Sequence, residues 1–251
     1  MSARICVSVV SHGQGPLVET LLRDLSLHSH HFSKIVVTLN VMEPAVNVPA
    51  SLKEQVVVVR NDVPAGFGAN HNAAVARMES DLICILNPDL RVGTSPFEYL
   101  SETLADPCVA LVAPRIISPT GVDEDSVRSF ITIQDILRKV WKKVVGKSPE
   151  GSCASHSGDP VSVDWVGGMF MMIKRQAFTE IGGFDERFFL YYEDVDLCAR
   201  FNKAGWVVKY DPRVEVVHDA RRTSHTNLRY LKWHLSSMLR YFIKHGFFRF
   251  R

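Results

Sequence analysis

The sequence predicts an α/β fold, a mostly parallel central sheet with helices on both faces. Three observations carry that prediction. Short, almost wholly apolar, β-branched runs recur, as in ICVSVV (5–10), KIVVTLN (34–40) and QVVVVRN (55–61). Segments with helical apolar spacing alternate with them. The runs end in polar or glycine-rich residues, where an open parallel sheet binds its ligands.

The elements follow in order. ICVSVV stops at Ser11-His12-Gly13, and residues 16–28 carry Leu17, Leu21, Leu22 and Leu25 at helical spacing. KIVVTLN is a second, buried strand ending at Asn40, with Met42 and Glu43 beyond it. QVVVVRN is a third, followed by Asn61, Asp62 and a Gly66-Phe67-Gly68-Ala69-Asn70 loop that leads into a helix over 70–78. DLICILNPD (81–89) is a fourth strand closing in a turn, residues 96–105 are helical, and VALVAP (109–114) is a fifth strand. An amphipathic helix is predicted over 126–145, then a mobile Ser/Gly/Pro-rich loop over 146–160. DWVGGMFMMIKR (164–175) reads as one strand and 176–182 as a short helix ended by Gly182-Gly183. Glu193 to Ala204 reads as a helix closed by Gly205, and WVVKYD (206–211) and VEVVH (214–218) as two strands. Residues 226–251 form a basic, aromatic helical stretch after a single domain over 1–225.

With 251 residues, 46% apolar and 22% charged, the chain is neither disordered nor fibrous. It holds no apolar run of about 18 residues, so no membrane-spanning helix is expected. The N-terminal apolar run is too short for a secretory signal. The cysteines at 6, 84, 108, 153 and 198 are odd in number, scattered and without a CxxC pair, which points to buried thiols in a reducing, cytoplasmic compartment. The net charge of +2 hides an asymmetry. Of the 29 Lys+Arg, eight follow Ala220 (Arg221, Arg222, Arg229, Lys232, Arg240, Lys244, Arg249, Arg251), and none of the 27 Asp+Glu does. The body is therefore at −6 and the tail at +8.

GFGANH (66–71) lacks the third glycine of a dinucleotide fingerprint and follows the third strand, not the first, which disfavours a dehydrogenase. Its functional reading is a loop whose amides and Asn70 approach a phosphate or sugar. Asn87-Pro88-Asp89 alone is a turn. The acids of GGFDERFFLYYEDVDLCAR (182–200) suit the N-terminus of a helix starting near Glu193. VEVVHD (214–219) places His218 at a strand end.

Together these segments, with NDVPAGFGANHNAA (61–74) and DWVGGMFMMIKRQAF (164–178), resemble family-2 glycosyltransferases of the GT-A fold, in particular their rhamnosyltransferase-like branch. The likeness runs in order from about residue 4 to 225, and the Phe-Asp-Glu…Tyr-Tyr-Glu-Asp-Val-Asp-Leu segment is its most specific part. It implies a Rossmann-like GT-A domain and an inverting, metal-dependent transfer of a sugar from a nucleotide-sugar to a hydroxyl. The acceptor would be a glycan or a polyprenyl-diphosphate-linked glycan of cell-surface polysaccharide assembly. Among donors, the branch favours dTDP-rhamnose, then UDP-sugars. It also implies Asp194 as general base, with Glu193 orienting it or touching the acceptor. Asp89 and His218 would hold Mn²⁺ or Mg²⁺ against the diphosphate.

Two departures stand out. Position 87 is Asn, leaving one carboxylate in the usual Asp-X-Asp motif. The acid that often follows the second strand is replaced by Asn40, so the base contact falls to Asn40, Glu43 or Asp62. Ser11, His12, Gly68, Asn70 and Asn87 complete the candidate donor-side residues, and Trp165, Gly167 and Gly168 are expected on the acceptor side. The alternative is a non-catalytic nucleotide-sugar or glycan-binding module of the same fold.

The tail has two readings. Leu228, Leu231, Leu235, Met238, Leu239 and Phe242 follow helical spacing, so it can pack on the domain with a solvated basic face. Alternatively it seeks an anionic membrane, peripheral on the inner face of the plasma membrane, with Trp233, Tyr241, Phe247, Phe248 and Phe250 at the interface. Arg221 and Arg222 are candidates for gripping the diphosphate. Nucleic acid is not an expected partner, because the acidic body would repel it.

Overall fold

The computed structural model describes residues 4–130, 158–219 and 228–246. Its strands are β1 (Ile5–Ser11), β2 (Phe32–Leu39), β3 (Val56–Arg60), β4 (Leu82–Leu86), β5 (Leu90–Arg91), β6 (Val109–Ile117), β7 (Val127–Arg128), β8 (Val161–Ser162), β9 (Trp165–Val166), β10 (Phe170–Lys174) and β11 (Val207–His218). The helices are α1 (Gly15–Ser26), α2 (Phe67–Val75), α3 (Phe97–Ala105), α4 (Arg175–Glu180), α5 (Glu193–Lys203) and α6 (Leu228–His245).

Nine strands form the central sheet in the order β3-β2-β1-β4-β10-β6-β11-β5, with β8 also on β11. The ladders of β1 with β2 and β4, of β2 with β3 and of β6 with β11 are parallel. β10 inserts antiparallel between β4 and β6, so the sheet is mixed at its centre. Alternate residues of the fully buried strands feed two cores. Cys84, Leu86, Phe170 and Met172 meet α1 and α3 on one face. Ile83, Ile85, Met171 and Ile173 meet α4, α5 and α6 on the other. Helices thus cover both faces, as the β-branched runs required.

Several expectations change. DWVGGMFMMIKR is two strands, because Gly167-Gly168-Met169 turns the chain between β9 and β10. The runs 206–211 and 214–218 form one strand, β11, whose register shifts between Asp211 and Glu215 as a bulge carries the chain through Pro212. β3 lies at the sheet edge, so Val57 and Val58 are each 39% exposed and not buried. The helix expected over 126–145 fails at its start, where Val127–Arg128 pairs with β9; its residues 131–145 lie outside the described residues, as do 146–157 of the expected loop. Cys6, Cys84 and Cys198 are buried free thiols, whereas Cys108 is exposed.

Candidate active site

The strand ends converge as a parallel sheet requires. Just beyond β2, Asn40 is buried, and its Oδ1 accepts from Asn61 Nδ2 (2.9 Å) and the Ala65 amide (2.8 Å). Asn61 also donates to Asn70 Oδ1 (2.7 Å), and Asn40 Nδ2 lies 3.3 Å from His12 Nδ1. This amide cluster ties the ends of β2 and β3 to α2. Ser11 Oγ donates to Glu43 Oε2 (2.8 Å), and Glu43 Oε1 accepts the Gly13 amide. Asp62 is exposed and outside the cavity wall, so of the three base-contact candidates Asn40 is the one that lines it.

Gly68 is not in an open phosphate-binding loop. Helix α2 already starts at Phe67, and a Cβ on Gly68 would come within 2.6 Å of Phe184 Cβ, so this glycine permits helix packing. Asn70 and Asn87 do line the cavity.

Asp89 and His218, 129 positions apart, meet because β5 and β11 pair with His218 opposite Leu90, and the Asp219 amide donates to Asp89 O (2.9 Å). His218 Nε2 lies 3.3 Å from Asp89 Oδ1, and Nδ1 is 2.6 Å from Glu124 Oε2. Burial pulls the imidazole down, but the two carboxylates outweigh it and raise its pKa to about 9. A divalent cation is the group the resemblance implies, and the donor set fits one. Asp89 Oδ1 is buried and its 3.3 Å approach to His218 Nε2 falls short of a well-aligned hydrogen bond, so a carboxylate oxygen and a ring nitrogen, both divalent-cation ligands, lie side by side.

The catalytic candidates sit at the start of α5. Asp194 Oδ2 accepts the Gly168 amide (3.0 Å) and Oδ1 the Val195 amide (2.8 Å). Glu193 Oε2 is buried with no hydrogen-bond partner. Burial raises both carboxyls, and the Asp194 charge raises Glu193 further. Backbone amides, those of Gly168 and Val195 among them, oppose the rise at Asp194.

Immediately before them Tyr191 (φ 68°) and Tyr192 (φ 66°) adopt left-handed backbone, a strain of order 1–3 kcal/mol per residue. Helix α6 holds this turn. Ser237 Oγ donates to Leu190 O (2.9 Å), Trp233 packs on Phe189 (4.8 Å between ring centres), and His234 touches both tyrosines. The sequence carries no local signal that pairs this Phe-Phe-Leu-Tyr-Tyr run with particular residues of α6.

Two cavities meet at Glu193 and Asp194. One, of about 350 Å³, includes His12, Asn40, Asn70, Asn87 and Asp89 in its wall. The other, of about 180 Å³, is aromatic, with Trp165, Tyr192 and Tyr241 beside Arg128 and His234. Gly168 borders the first, and Gly167 donates its amide to Ser126 O (2.7 Å). Arg221 lies outside the described residues.

Comparisons with known proteins give the family and the fold. Residues 82–244 match the model of glycosyl transferase family group 2. Rhamnosyltransferase WbbL of Escherichia coli K12 is 29% identical over 94% of this chain and 92% of its own length. The N-acetylglucosaminyl-diphospho-decaprenol L-rhamnosyltransferase of Mycobacterium tuberculosis is 27% identical over 84% of this chain and 75% of its own. Among solved structures, GalNAc-T7 with UDP, GalNAc and Mn²⁺ superposes with a TM-score of 0.65 at 16% identity, over 90% of this chain but 45% of that longer one. The mannosyltransferase PcManGT of Pyrobaculum calidifontis, solved with GDP-Man and Mn²⁺, gives 0.62 at 16% identity over 98% of this chain and 66% of its own. These likenesses bear out the GT-A-like fold. With two thirds of its residues in one family's pattern, the chain belongs to glycosyl transferase family group 2 and is a glycosyltransferase related to rhamnosyltransferases.

Proposed function

We propose that the protein is an inverting, metal-dependent glycosyltransferase that moves a sugar, rhamnose from dTDP-rhamnose in the first instance, onto a hydroxyl of a polyprenyl-diphosphate-linked glycan. The observation that carries this reading is the position of Asp194 between two cavities. The larger of the two, with Asn40, Asn70, Asn87 and Asp89 in its wall, suits a nucleotide-sugar, and the smaller, with Trp165 and Tyr192, a sugar face. Asp194 accepts the proton of the acceptor hydroxyl as its oxygen bonds to the anomeric carbon. The bond from that carbon to the diphosphate breaks on the opposite side, and the nucleoside diphosphate leaves. Glu193, buried beside Asp194 with its carboxyl pushed up by burial and by the Asp194 charge, lines both cavities and orients the base or touches the acceptor. Asp89 and His218 would hold the divalent cation, which when bound neutralises charge on the leaving diphosphate.

The direct test is release of dTDP from dTDP-rhamnose in the presence of a polyprenyl-diphospho-N-acetylglucosamine acceptor, with UDP-sugars as competitors. No release with any donor overturns the reading. EDTA is expected to abolish this release and Mn²⁺ to restore it. Asp89→Ala should lose activity to the same extent and resist rescue. Full turnover in EDTA would make Asp89 a turn residue only.

The work site is proposed to be cytoplasmic, at an anionic membrane surface reached through α6. No helix among the described residues is long and apolar enough to cross a membrane. The face expected at the interface changes, however. Tyr241 is buried and Trp233 packs inward, whereas Leu231, Leu235, Leu239 and Ile243 are 50–70% exposed, one helical turn apart, beside exposed Arg229, Lys232 and Arg240. Phe247, Phe248 and Phe250 lie outside the described residues. At low salt the full chain should sediment with phosphatidylglycerol vesicles and not with phosphatidylcholine ones, and Leu235→Glu with Leu239→Glu should abolish it. Equal sedimentation of that double variant would rule out this face.

A further inference from the structure

We infer that Glu124 is a positioning residue for the cation site: it locks the ring of His218 so that Nε2, not Nδ1, faces Asp89. The inference rests on the reading of Asp89 and His218 as ligands.

The contact is short, and the ring around it is enclosed. Glu124 Oε2 accepts from His218 Nδ1 at 2.6 Å, and His218 is 9% exposed. The two ring nitrogens point in diverging directions, so Glu124 occupies one side of the imidazole and Asp89 the other. Glu124 therefore acts through the histidine and does not share its ion. With the Nδ1 proton pinned on a carboxylate, the lone pair available to a cation is the one on Nε2, and the ring becomes a more basic ligand.

The fold holds Glu124 in place by its backbone and neighbours. After β6 the chain doubles back through a tight turn, in which Ser118 N donates to Val122 O (2.8 Å) and Gly121 has φ +78°. The Glu124 amide then donates to Ile116 O (2.9 Å). Next to it, Asp123 is clamped by Arg115 (2.6 Å), which also reaches Glu215 (3.2 Å) on β11. Because Ile117 lies opposite Val217 in the β6–β11 ladder, this returning segment is delivered beside His218. With its backbone fixed and the neighbouring Asp123 paired to Arg115, Glu124 directs its carboxylate at His218. In the sequence, Asp123-Glu124-Asp125 is three consecutive acids with no feature that singles out Glu124.

The test is Mn²⁺ binding to the full chain, followed by the electron paramagnetic resonance of free Mn²⁺, with thermal melting of each variant alongside. Glu124→Leu should weaken Mn²⁺ binding by about 10–100-fold, the range seen when such supporting carboxylates are removed. Glu124→Gln, whose amide oxygen still accepts from Nδ1, should recover most of that loss. A purely structural role would move melting temperature and leave the leucine–glutamine contrast flat. Should Glu124→Leu fail to fold, Glu124→Ala carries the same expectation. Asp89-dependent binding that is unchanged in the leucine or alanine variant overturns the role of Glu124 alone. Wild-type protein whose Mn²⁺ binding does not depend on Asp89 overturns the ligand reading and this inference with it.

Discussion

Asp194→Asn is expected to lower turnover by about 10²–10⁴-fold, the range that a positioned general base contributes, while leaving nucleotide binding in place. The amide is isosteric and loses its fit to at most one of the two backbone donors, Gly168 N and Val195 N. Such a loss costs about 1 kcal/mol of stability, far below unfolding. What it removes is the carboxylate that borders both cavities at the start of α5 and that two backbone amides favour in its ionised form. The pH dependence gives a second reading of the same group. Burial raises the Asp194 carboxyl, and a base works only when ionised. The acid limb of kcat/KM should therefore lie above the ordinary aspartate value of about 3.9. Retention of more than a few per cent of turnover in the asparagine variant, under saturating donor and metal, would remove Asp194 from the role.

Asp196→Ala should produce the largest loss of stability. This carboxylate is fully buried, and two cations and a histidine converge on it: Arg200 Nε on Oδ2 (2.8 Å), and Lys244 Nζ (2.6 Å) and His245 Nε2 (2.7 Å) on Oδ1. Burial pushes the carboxyl up, but the contacts with His245, Arg200 and Lys244 outweigh it and hold its pKa below the usual range. Deleting one member of a buried ionic cluster costs about 3–5 kcal/mol, because the remaining charges are left uncompensated. For a chain of this size that lowers Tm on the order of 10 °C. Lys244 and His245 close the end of α6, so the helix should loosen with it, and with the helix the wall formed by Tyr230, Trp233, His234 and Tyr241. Activity is expected to fall along with stability. The lowered pKa fixes the sign of the pH dependence. The stabilisation is present above the unfolded aspartate pKa of about 3.9 and drains away as pH falls through the folded value, so the variant should converge on wild type in acid. A melting temperature within a degree or two of wild type at neutral pH would show that α6 is held by its apolar contacts alone.

The same cluster explains why α6 reads ambiguously in the sequence. Apolar residues at helical spacing occur on two sides of it. The buried set includes Tyr241 and Phe242, while Leu231, Leu235, Leu239 and Ile243 stay outside. Spacing alone cannot say which stripe meets the core. The polar residues decide it: Ser237, Lys244 and His245 each have a specific partner on the domain, at Leu190, Asp185 and Asp196. A truncation before α6 would therefore strip the wall of both cavities as well as any membrane contact, and substitutions on the outer face are the cleaner probe.

The candidate site residues divide in a similar way. Asn40, Asn87 and Asp89 were nominated because each stands at or just past the end of an apolar strand, and Asn70 because it follows one across a short loop, and the structure brings all four into one cavity wall. Asp194 and Glu193 were nominated through the family likeness of the segment around them. Gly68 was misread because glycine serves open loops and tight packing alike, and only the approach of Phe184 distinguishes them. Glu124 was not legible at all, since nothing local marks one acid of three in a turn as the partner of a histidine 94 positions later.

By itself, then, the amino-acid order determined what local physics determines: the long apolar strands, the helices with clear apolar spacing, that the sheet is covered on both faces, and where polar residues interrupt the apolar pattern. The tertiary structure alone decided the rest. It inserted β10 antiparallel at the centre of the sheet, turned α6 so that one apolar stripe faces the domain and another faces out, and set Asp89, His218 and Glu124 in one line across the β5–β11–β6 edge. The physical reason is range. Periodicity and capping act over a few residues, whereas strand register and buried charge pairing act between segments about 50 to 130 positions apart, and only the folded chain brings those into contact.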